Sequence, residues 1–213
     1  MLVDERMSHR VISVSPETPV HDALAMFRKD QIRRAPVIKD GKLLGIVSET
    51  DLLNASPSPV TTLNVWEMNY LMSKVTVKQV MTKKVKTLEV GTPIEEAARI
   101  MADSKIGGMP VTRAGKIVGM ITETDLFKIL LELMGAREKG VRISALVDDK
   151  PGQLALVSKK VTEAGGNFIA FGIFSGPDTS TKLLTFKVAG IKKDDIKKIL
   201  NSTVKKFVDI RQN

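Results

Sequence analysis

The chain has 213 residues, a formal net charge of +9 and no cysteine, so disulfides, thiolate metal sites and a cysteine nucleophile are excluded. Its apolar fraction of 43% and mean hydropathy of +0.00 are typical of a soluble globular protein, and no stretch reaches the roughly 18 apolar residues of a membrane span. The first residues lack a signal-peptide pattern, so we expect a cytoplasmic protein that makes no membrane contact.

An internal repeat occupies the N-terminal part of the chain, and its two copies align at a constant separation without a gap. The aligned pairs are residues 3–8 with 77–82, Thr18-Pro19 with Thr92-Pro93, Pro36-Val37 with Pro110-Val111, and residues 45–52 with 119–126. A duplicated unit of this kind usually buries its apolar face against its copy. We call the two repeats copy one and copy two, and we expect them to pack against each other.

Each copy is predicted to run strand, helix, strand, strand, helix. In copy one these elements are a strand at residues 11–14, a helix that starts with Thr18 and Pro19, strands at residues 35–38 and 43–47 joined by an Asp40-Gly41 turn, and a helix from Glu49. Copy two has the same order, with its first strand at residues 85–88. We expect a capping box between Thr92 and Glu95 at the start of its first helix.

A short motif ends the last strand of each copy: a glycine, two apolar residues, a hydroxyl residue, and a carboxylate three positions later. The resulting pairs are Ser48 with Asp51 and Thr122 with Asp125. Such a pair forms a capping box at a helix N-terminus. It also suits a nucleotide, because free N–H groups attract phosphate and a carboxylate accepts hydrogen bonds from ribose hydroxyls. The two roles are compatible.

With these motifs, residues 3–135 resemble the CBS domain family. The resemblance implies a pseudo-twofold pair, the Bateman module, whose two clefts bind an adenine nucleotide such as AMP, ADP or ATP, or S-adenosylmethionine, without any cofactor. It assigns Asp51 and Asp125 to the ribose, with Ser48 and Thr122 beside them. Backbone around the first strand and the mid-repeat proline would hold the base, at Ser13, Thr87, Pro36 and Pro110.

The two clefts differ in the residues that precede the mid-repeat proline. Arg33-Arg34 occupies this position in copy one, and Gly107-Gly108 occupies it in copy two. We expect the arginines to bind phosphate in the cleft of Asp125, because a guanidinium pairs with phosphate through two hydrogen bonds. The cleft of Asp51 would face the glycines, with Lys105 as its candidate cation. A role for the arginines as plain surface charges stays open.

After a polar stretch at residues 137–140, the chain is predicted to run βαββαβ, the order of a ferredoxin-like fold. The turn at residues 148–154 and the Gly-Gly-Asn that follows its helix resemble the ACT family over residues 140–213. ACT domains pair and often bind amino acids at the paired interface. The resemblance implies a ligand site at Pro151, Gly152, Gln153, Leu154 and Asn167, although Pro151 and Gly152 would also suit a plain turn.

Residues that usually carry catalysis are scarce. His9 and His21 are the only histidines, and neither has metal-ligand spacing. The glycine-rich stretch at residues 108–117 has the wrong spacing for a P-loop and lacks its Ser or Thr. The Lys-rich segment at residues 191–213 is typical of a solvated amphipathic layer, with a nucleic-acid patch as the alternative. We expect no enzyme, no metal and no specific nucleic-acid partner.

The sequence therefore predicts an α/β (α+β) protein with a CBS repeat at residues 1–57, a linker helix at 58–74, a second CBS repeat at 75–135 and an ACT domain at 140–213. This order resembles the acetoin-utilisation protein B (AcuB) group. The predicted function is regulatory sensing, by a homodimer, of an adenine nucleotide and of an amino acid or other metabolite at the ACT domain. The alternatives are a regulatory subunit that docks on an enzyme or transporter, and a ligand-controlled DNA-binding regulator.

Overall fold

The computed structural model divides the chain into two units, Met1–Leu126 and Phe127–Asn213. Within them, the structure describes residues 1–55, 67 and 74–212. The predicted linker helix at residues 58–74 lies outside the described residues, apart from Glu67 and Lys74. None of the helices in the described ranges combines the length and apolar character that a bilayer crossing requires.

The first unit contains the hairpins of both copies. Its helices are α1 (Val20–Asp30), α2 (Glu49–Asn54), α3 (Val77–Val80), α4 (Ile94–Ser104) and the start of α5 (Glu123–Leu133), and its strands are β1 (Arg34–Lys39), β2 (Lys42–Ser48), β3 (Leu88–Glu89), β4 (Gly108–Arg113) and β5 (Lys116–Thr122). β1 pairs with β2 and β4 with β5, both antiparallel, and β3 joins β4 in parallel. The predicted order is confirmed, although the first strand of copy one is reduced to a bridge between Val14 and Val37.

Both hairpins turn through two residues in the left-handed region. The backbone angle φ is 50° at Asp40 and 74° at Gly41, and it is 50° at Ala114 and 76° at Gly115. Positive φ at both positions gives a type I′ turn, whose twist matches that of the flanking strands. The turns therefore set the register in which β2 and β5 reach the hydroxyl residues of the two motifs.

The first segment of each copy packs into the core of the other copy. Val3 and Met7 are buried in the core of copy two, and Val77 is buried in that of copy one. The backbone repeats this exchange, because the N–H of Val3 donates to the Thr92 carbonyl and that of Val77 to the Thr18 carbonyl, both at 2.9 Å. Each copy thus completes the core of its neighbour, and the pair is pseudo-twofold symmetric.

The starts of α1 and α4 differ from the prediction. Pro19 and Pro93 are the N-cap residues, so each helix begins one residue later than expected. The capping box predicted between Thr92 and Glu95 is wrong, because the Thr92 hydroxyl donates instead to the Glu89 carbonyl at 2.6 Å. The Val75 carbonyl accepts from the first N–H of α1 at 2.9 Å, and the Met1 carbonyl accepts from the first N–H of α4 at 3.2 Å. These backbone carbonyls take the place of a side-chain cap.

The second unit is built on a four-stranded antiparallel sheet. Its elements are β6 (Val141–Asp148), α6 (Gln153–Glu163), β7 (Asn167–Ser175), β8 (Thr181–Ala189), α7 (Lys193–Leu200) and β9 (Lys206–Gln212). The strand order β7-β8-β6-β9 is the predicted ferredoxin-like topology. Alternate residues of β6, from Val141 to Val147, are buried in one core with Val161 of α6 and Ile196 of α7, as the period of a strand requires.

Candidate functional site

The end of β2 and the start of α2 hold Ser48 and Asp51 in a closed hydrogen-bond pair. Asp51 Oδ2 accepts from the Ser48 N–H at 2.8 Å and from Ser48 Oγ at 2.6 Å, and the Asp51 N–H donates back to Ser48 Oγ at 3.2 Å. Asp125 Oδ2 likewise accepts from the N–H and hydroxyl of Thr122, at 2.9 and 2.7 Å. In the first pair the carboxylate accepts through Oδ2 alone, so Asp51 Oδ1 takes part in none of these bonds.

A cavity of about 670 Å³, which we call the Asp51 cavity, includes Ser48 and Asp51 in its wall. From copy one the wall takes Arg33, Arg34, Ile46 and residues 48–51, and from copy two it takes Thr82, residues 84–86 and residues 104–108. Its volume is within the range of small-molecule sites. Among the residues that the structure describes, no cluster of three His, Cys, Asp or Glu is placed to hold a metal ion. Because its wall includes residues of both copies, the cavity offers a ligand side chains from each of them.

Arg34 crosses the glycine pair of copy two. A methyl group at Gly107 would lie 2.3 Å from Arg34 Nη2, and one at Gly108 would lie 2.9 Å from Arg34 Cδ. The missing side chains therefore make room for the arginine. Burial lowers the pKa of Arg34, while the carboxylates of Glu123 and Asp51 act in the opposite direction. The guanidinium keeps its charge, because arginine stays protonated throughout the physiological range.

Arg33 extends towards the second motif. Its Nη2 donates to Thr124 Oγ1 at 3.1 Å, in the first turn of α5 and next to Asp125 in the chain. Both arginines also belong to the wall of the Asp51 cavity. The structure therefore changes the expected division of charge: Arg33 does lie at the helix of Asp125, but the arginine pair is not confined to that cleft.

Three lysines of copy two add to the wall of the Asp51 cavity. Lys105, the cation expected from the sequence, is joined by Lys84 and Lys86. Lys86 Nζ donates to the hydroxyl of Ser104 at 2.6 Å, which holds this lysine against the wall. Sequence reasoning missed Lys84 and Lys86. The signal that could have found them is their position beside Thr87, in the segment expected to hold the base.

The other residues assigned to the nucleotide are not part of the described wall of the Asp51 cavity. Ser13 and Thr87 are exposed, and Pro36 and Pro110 are buried in β1 and β4. The Thr and Asp of the second motif also lie outside this wall. The structure thus brings together Ser48, Asp51 and the two arginines, and it leaves the rest of the predicted set elsewhere in the first unit.

The residues assigned to an ACT ligand divide between the two ends of α6. Pro151 and Gly152 form the turn before this helix, where Gly152 has a φ of 88°, and Gln153 and Leu154 open the helix. Asn167 instead begins β7, after the far end of α6. Within one chain, the structure does not bring Asn167 to the other four residues.

Gln153 lines a second cavity, of about 400 Å³, in the second unit. Its Oε1 is buried and has no hydrogen-bond partner among the described residues. Lys150, Lys160 and Lys205 belong to the same wall. Hydrogen bonds from Lys205 at 2.6 Å and Lys150 at 2.9 Å hold the pKa of Asp148 at about 2. Gln153 and three lysines thus share this wall, and two of the lysines bind one carboxylate.

The chain matches the CBS domain family over residues 3–58 and 77–132, which together exceed half of its length. A CBS domain-containing protein of Dictyostelium discoideum is 31% identical over 136 residues, which cover 63% of this chain and 94% of that protein. The inosine-5′-monophosphate dehydrogenase of Korarchaeum cryptofilum is 34% identical over 118 residues, which cover 55% of this chain and 22% of the enzyme. The similarity to the enzyme is thus confined to a small part of that protein.

Solved structures with a similar fold contain adenosine ligands. The match to CBSX2 in complex with AMP has 32% identity and a TM-score of 0.52, and it covers 62% of this chain and 97% of that one. The CBS domain pair of protein MJ0100, in complex with 5′-methylthioadenosine and S-adenosyl-L-methionine, has 25% identity and a TM-score of 0.51, with coverages of 61% and 99%. A structure described as an acetoin utilization protein (AcuB) of Vibrio cholerae has 28% identity and a TM-score of 0.53, with coverages of 64% and 95%.

Proposed function

The chain belongs to the CBS domain family, and we propose that it is a non-catalytic regulatory protein that senses an adenine nucleotide. The observation that carries this proposal is the Asp51 cavity, where a carboxylate, a helix N-terminus and several cations meet between the two copies. A carboxylate suits the ribose, and free N–H groups and cations suit phosphate. The volume of about 670 Å³ is sufficient for a ligand of this size.

In this proposal, Asp51 accepts hydrogen bonds from the ribose through Oδ1, while its bonds to Ser48 through Oδ2 fix the carboxylate in place. The related structures with AMP and with S-adenosyl-L-methionine support adenosine as the common part of the ligand. The Asp125 carboxylate accepts the corresponding two bonds from Thr122, and Arg33 reaches the helix that carries Asp125. We propose the cleft of Asp125 as a second nucleotide site.

A regulatory rather than a catalytic role is supported by the comparison with the dehydrogenase. Only 22% of that enzyme matches this chain, and the family match lies in the repeats. The same module also makes up 94% of the Dictyostelium protein, which leaves little room there for a catalytic domain. We therefore interpret the module as a ligand-binding unit rather than as a set of catalytic residues. We propose that the ligand acts by binding and is released unchanged.

For the second unit we propose an ACT domain that pairs in a homodimer of the AcuB group and binds an amino acid or a similar metabolite. The ferredoxin-like topology supports the ACT assignment, and the similarity to the AcuB structure, which covers 64% of this chain, supports the grouping. In the cavity that Gln153 lines, Lys160 suits the carboxylate of such a ligand. Phe127 and Leu130 are exposed on α5, which supports pairing because exposed apolar side chains often mark association surfaces.

The test of the nucleotide proposal is calorimetric titration of the full chain with AMP, ADP, ATP and S-adenosylmethionine. We expect binding of an adenosine ligand, and we expect Asp51→Asn to weaken it at least tenfold. The neutral amide oxygen is a weaker acceptor for the ribose hydroxyls than the charged carboxylate. The variant keeps an acceptor oxygen for Ser48, so it should still fold. The matched control is Asp22→Asn, at an exposed aspartate of α1 outside the cavity, which should bind as the parent does. A protein that binds none of these ligands, or converts one of them, contradicts the proposal.

A further inference from the structure

The wall of the Asp51 cavity carries an excess of positive charge. Five of its side chains are Lys or Arg, and two are Asp or Glu. The cations are Arg33, Arg34, Lys84, Lys86 and Lys105. A ribose requires only the carboxylate, and an adenine ring requires no charge. The excess therefore indicates a ligand with a strongly anionic part.

The internal repeat shows which of these charges belong to the duplicated fold. The positions of copy one that align with Lys84, Lys86 and Lys105 are Arg10, Ile12 and Gln31. Two of the three cations thus have no charged counterpart around the second motif. In addition, Asp30 aligns with Ser104, so an acidic residue replaces the hydroxyl that holds Lys86. The lysine wall is therefore particular to the cleft of Asp51.

The arrangement of the lysines leaves their charges available to a ligand. Among the described residues, Lys86 donates to a neutral hydroxyl, and Lys84 and Lys105 form no ion pair. Like charges in one wall repel each other, and an anion placed between them removes that cost. A di- or triphosphate supplies more negative charge than a monophosphate and spreads it along the wall. The positive sulfonium of S-adenosylmethionine would be repelled.

We propose that the Asp51 cavity selects adenosine di- or triphosphate over AMP and S-adenosylmethionine, with the terminal phosphates on Lys84, Lys86 and Lys105. The inference rests on the proposed function, from which it takes the recognition of adenosine by Asp51. AMP reaches fewer of the cations, because its single phosphate lies close to the ribose. The cleft thus reports the phosphorylation state of the nucleotide rather than the presence of adenosine.

The experiment measures the dissociation constants of AMP, ADP, ATP and S-adenosylmethionine with the full chain, without magnesium and at two salt concentrations. We expect ATP to bind at least about tenfold more tightly than AMP, with the difference shrinking as salt rises. The double variant Lys84→Met/Lys86→Met should lose most of this preference, because its affinity for ATP falls more than its affinity for AMP. Lys83→Met is the matched control, because Lys83 is exposed and lies outside the cavity wall.

The outcomes separate this inference from the proposed function. Equal affinities for ATP and AMP, both dependent on Asp51, overturn the inference and leave the proposed sensing of an adenosine ligand intact. A preference for S-adenosylmethionine has the same two consequences. If no adenosine ligand binds, the proposed function and the inference that rests on it both fail, and titration with inorganic tripolyphosphate then tests whether the lysine wall binds polyphosphate alone. Tripolyphosphate binding that the double lysine variant abolishes supports a polyphosphate site, and its absence overturns that site as well.

Discussion

Gly107→Ala tests whether Arg34 binds the ligand from its place across the glycine pair. The added Cβ would lie 2.3 Å from Arg34 Nη2 and 2.7 Å from Glu123 Oε2. Both neighbours are the ends of flexible side chains, and Gly107 is not one of the glycines with positive φ, so the backbone accepts alanine. The guanidinium must then move by about 1 Å to restore a normal van der Waals separation.

The expected loss follows from the environment of Arg34. A hydrogen bond to a charged group contributes about 1.5–3 kcal/mol in a buried site. Arg34 is half-buried, so screening by solvent reduces this to about 1 kcal/mol, or about a fivefold rise in the dissociation constant for ATP. The free energy of unfolding should change by less than about 0.5 kcal/mol, because Gly→Ala also reduces the entropy of the unfolded chain.

The assay is a double-mutant cycle of Gly107→Ala and Arg34→Ala, with calorimetric titration for ATP binding and urea denaturation for stability. If alanine acts by displacing Arg34, Gly107→Ala causes no further loss of affinity in the Arg34→Ala background. Gly108→Ala is the contrasting variant, since its Cβ would lie 3.0 Å from the backbone oxygen of Ile121, and it should reduce stability as well. Unchanged affinity in Gly107→Ala, or losses that add in the double variant, would refute the reasoning.

Two further predictions concern the cores and the second cavity. Val77→Ala should lower the free energy of unfolding by about 2 kcal/mol, because Val77 is fully buried in the core of copy one. The control Val208→Ala, at an exposed site, should lower it by less than about 0.5 kcal/mol. Equal losses of the two variants in urea denaturation would speak against the segment exchange. Lys205→Met should raise the pKa of Asp148 from about 2 towards its ordinary value of 3.8, measured by NMR titration, because the Lys205 hydrogen bond is the main cause of the lowering. A carboxyl whose pKa is lowered in the folded state stabilises the fold at pH values above its unfolded pKa. This contribution of Asp148 disappears as the pH falls from 3.8 to about 2, and it should be smaller in the variant. An unchanged pKa of Asp148 would show that its ion pair with Lys205 is not formed.

The hairpins and the capping box at the first motif could be predicted because local chemistry decides them. A glycine after Asp40 permits the left-handed pair of a two-residue turn. A hydroxyl residue three positions before a carboxylate, as in Ser48 and Asp51, closes a capping box wherever a helix begins there. The ferredoxin-like topology also followed from the order of elements, since few arrangements of βαββαβ bury both helices on one sheet.

Long-range contacts decided what the sequence could not predict. Thr92 has the chemistry of a cap, yet the Met1 carbonyl accepts from the first N–H of α4 and releases Thr92 to bond elsewhere. The reach of a long side chain has the same effect at the site. Arg34 is the first residue of β1, but its guanidinium lies across Gly107 of the other copy and joins the wall around Asp51. Neither contact leaves a signal in the residues next to it.

The exchange of the first segments cannot be inferred from a repeat at all. Residues 3–8 align with residues 77–82 whether each segment packs on its own copy or on the other, because the exchange preserves the symmetry. Its consequence concerns the ligand. Ile46 and Thr82, which come from different copies, exchange two backbone hydrogen bonds at 2.9 Å, and both line the Asp51 cavity. A ligand bound there contacts both copies, so its binding free energy stabilises the pair as one unit, and a change that separates the copies also removes the site.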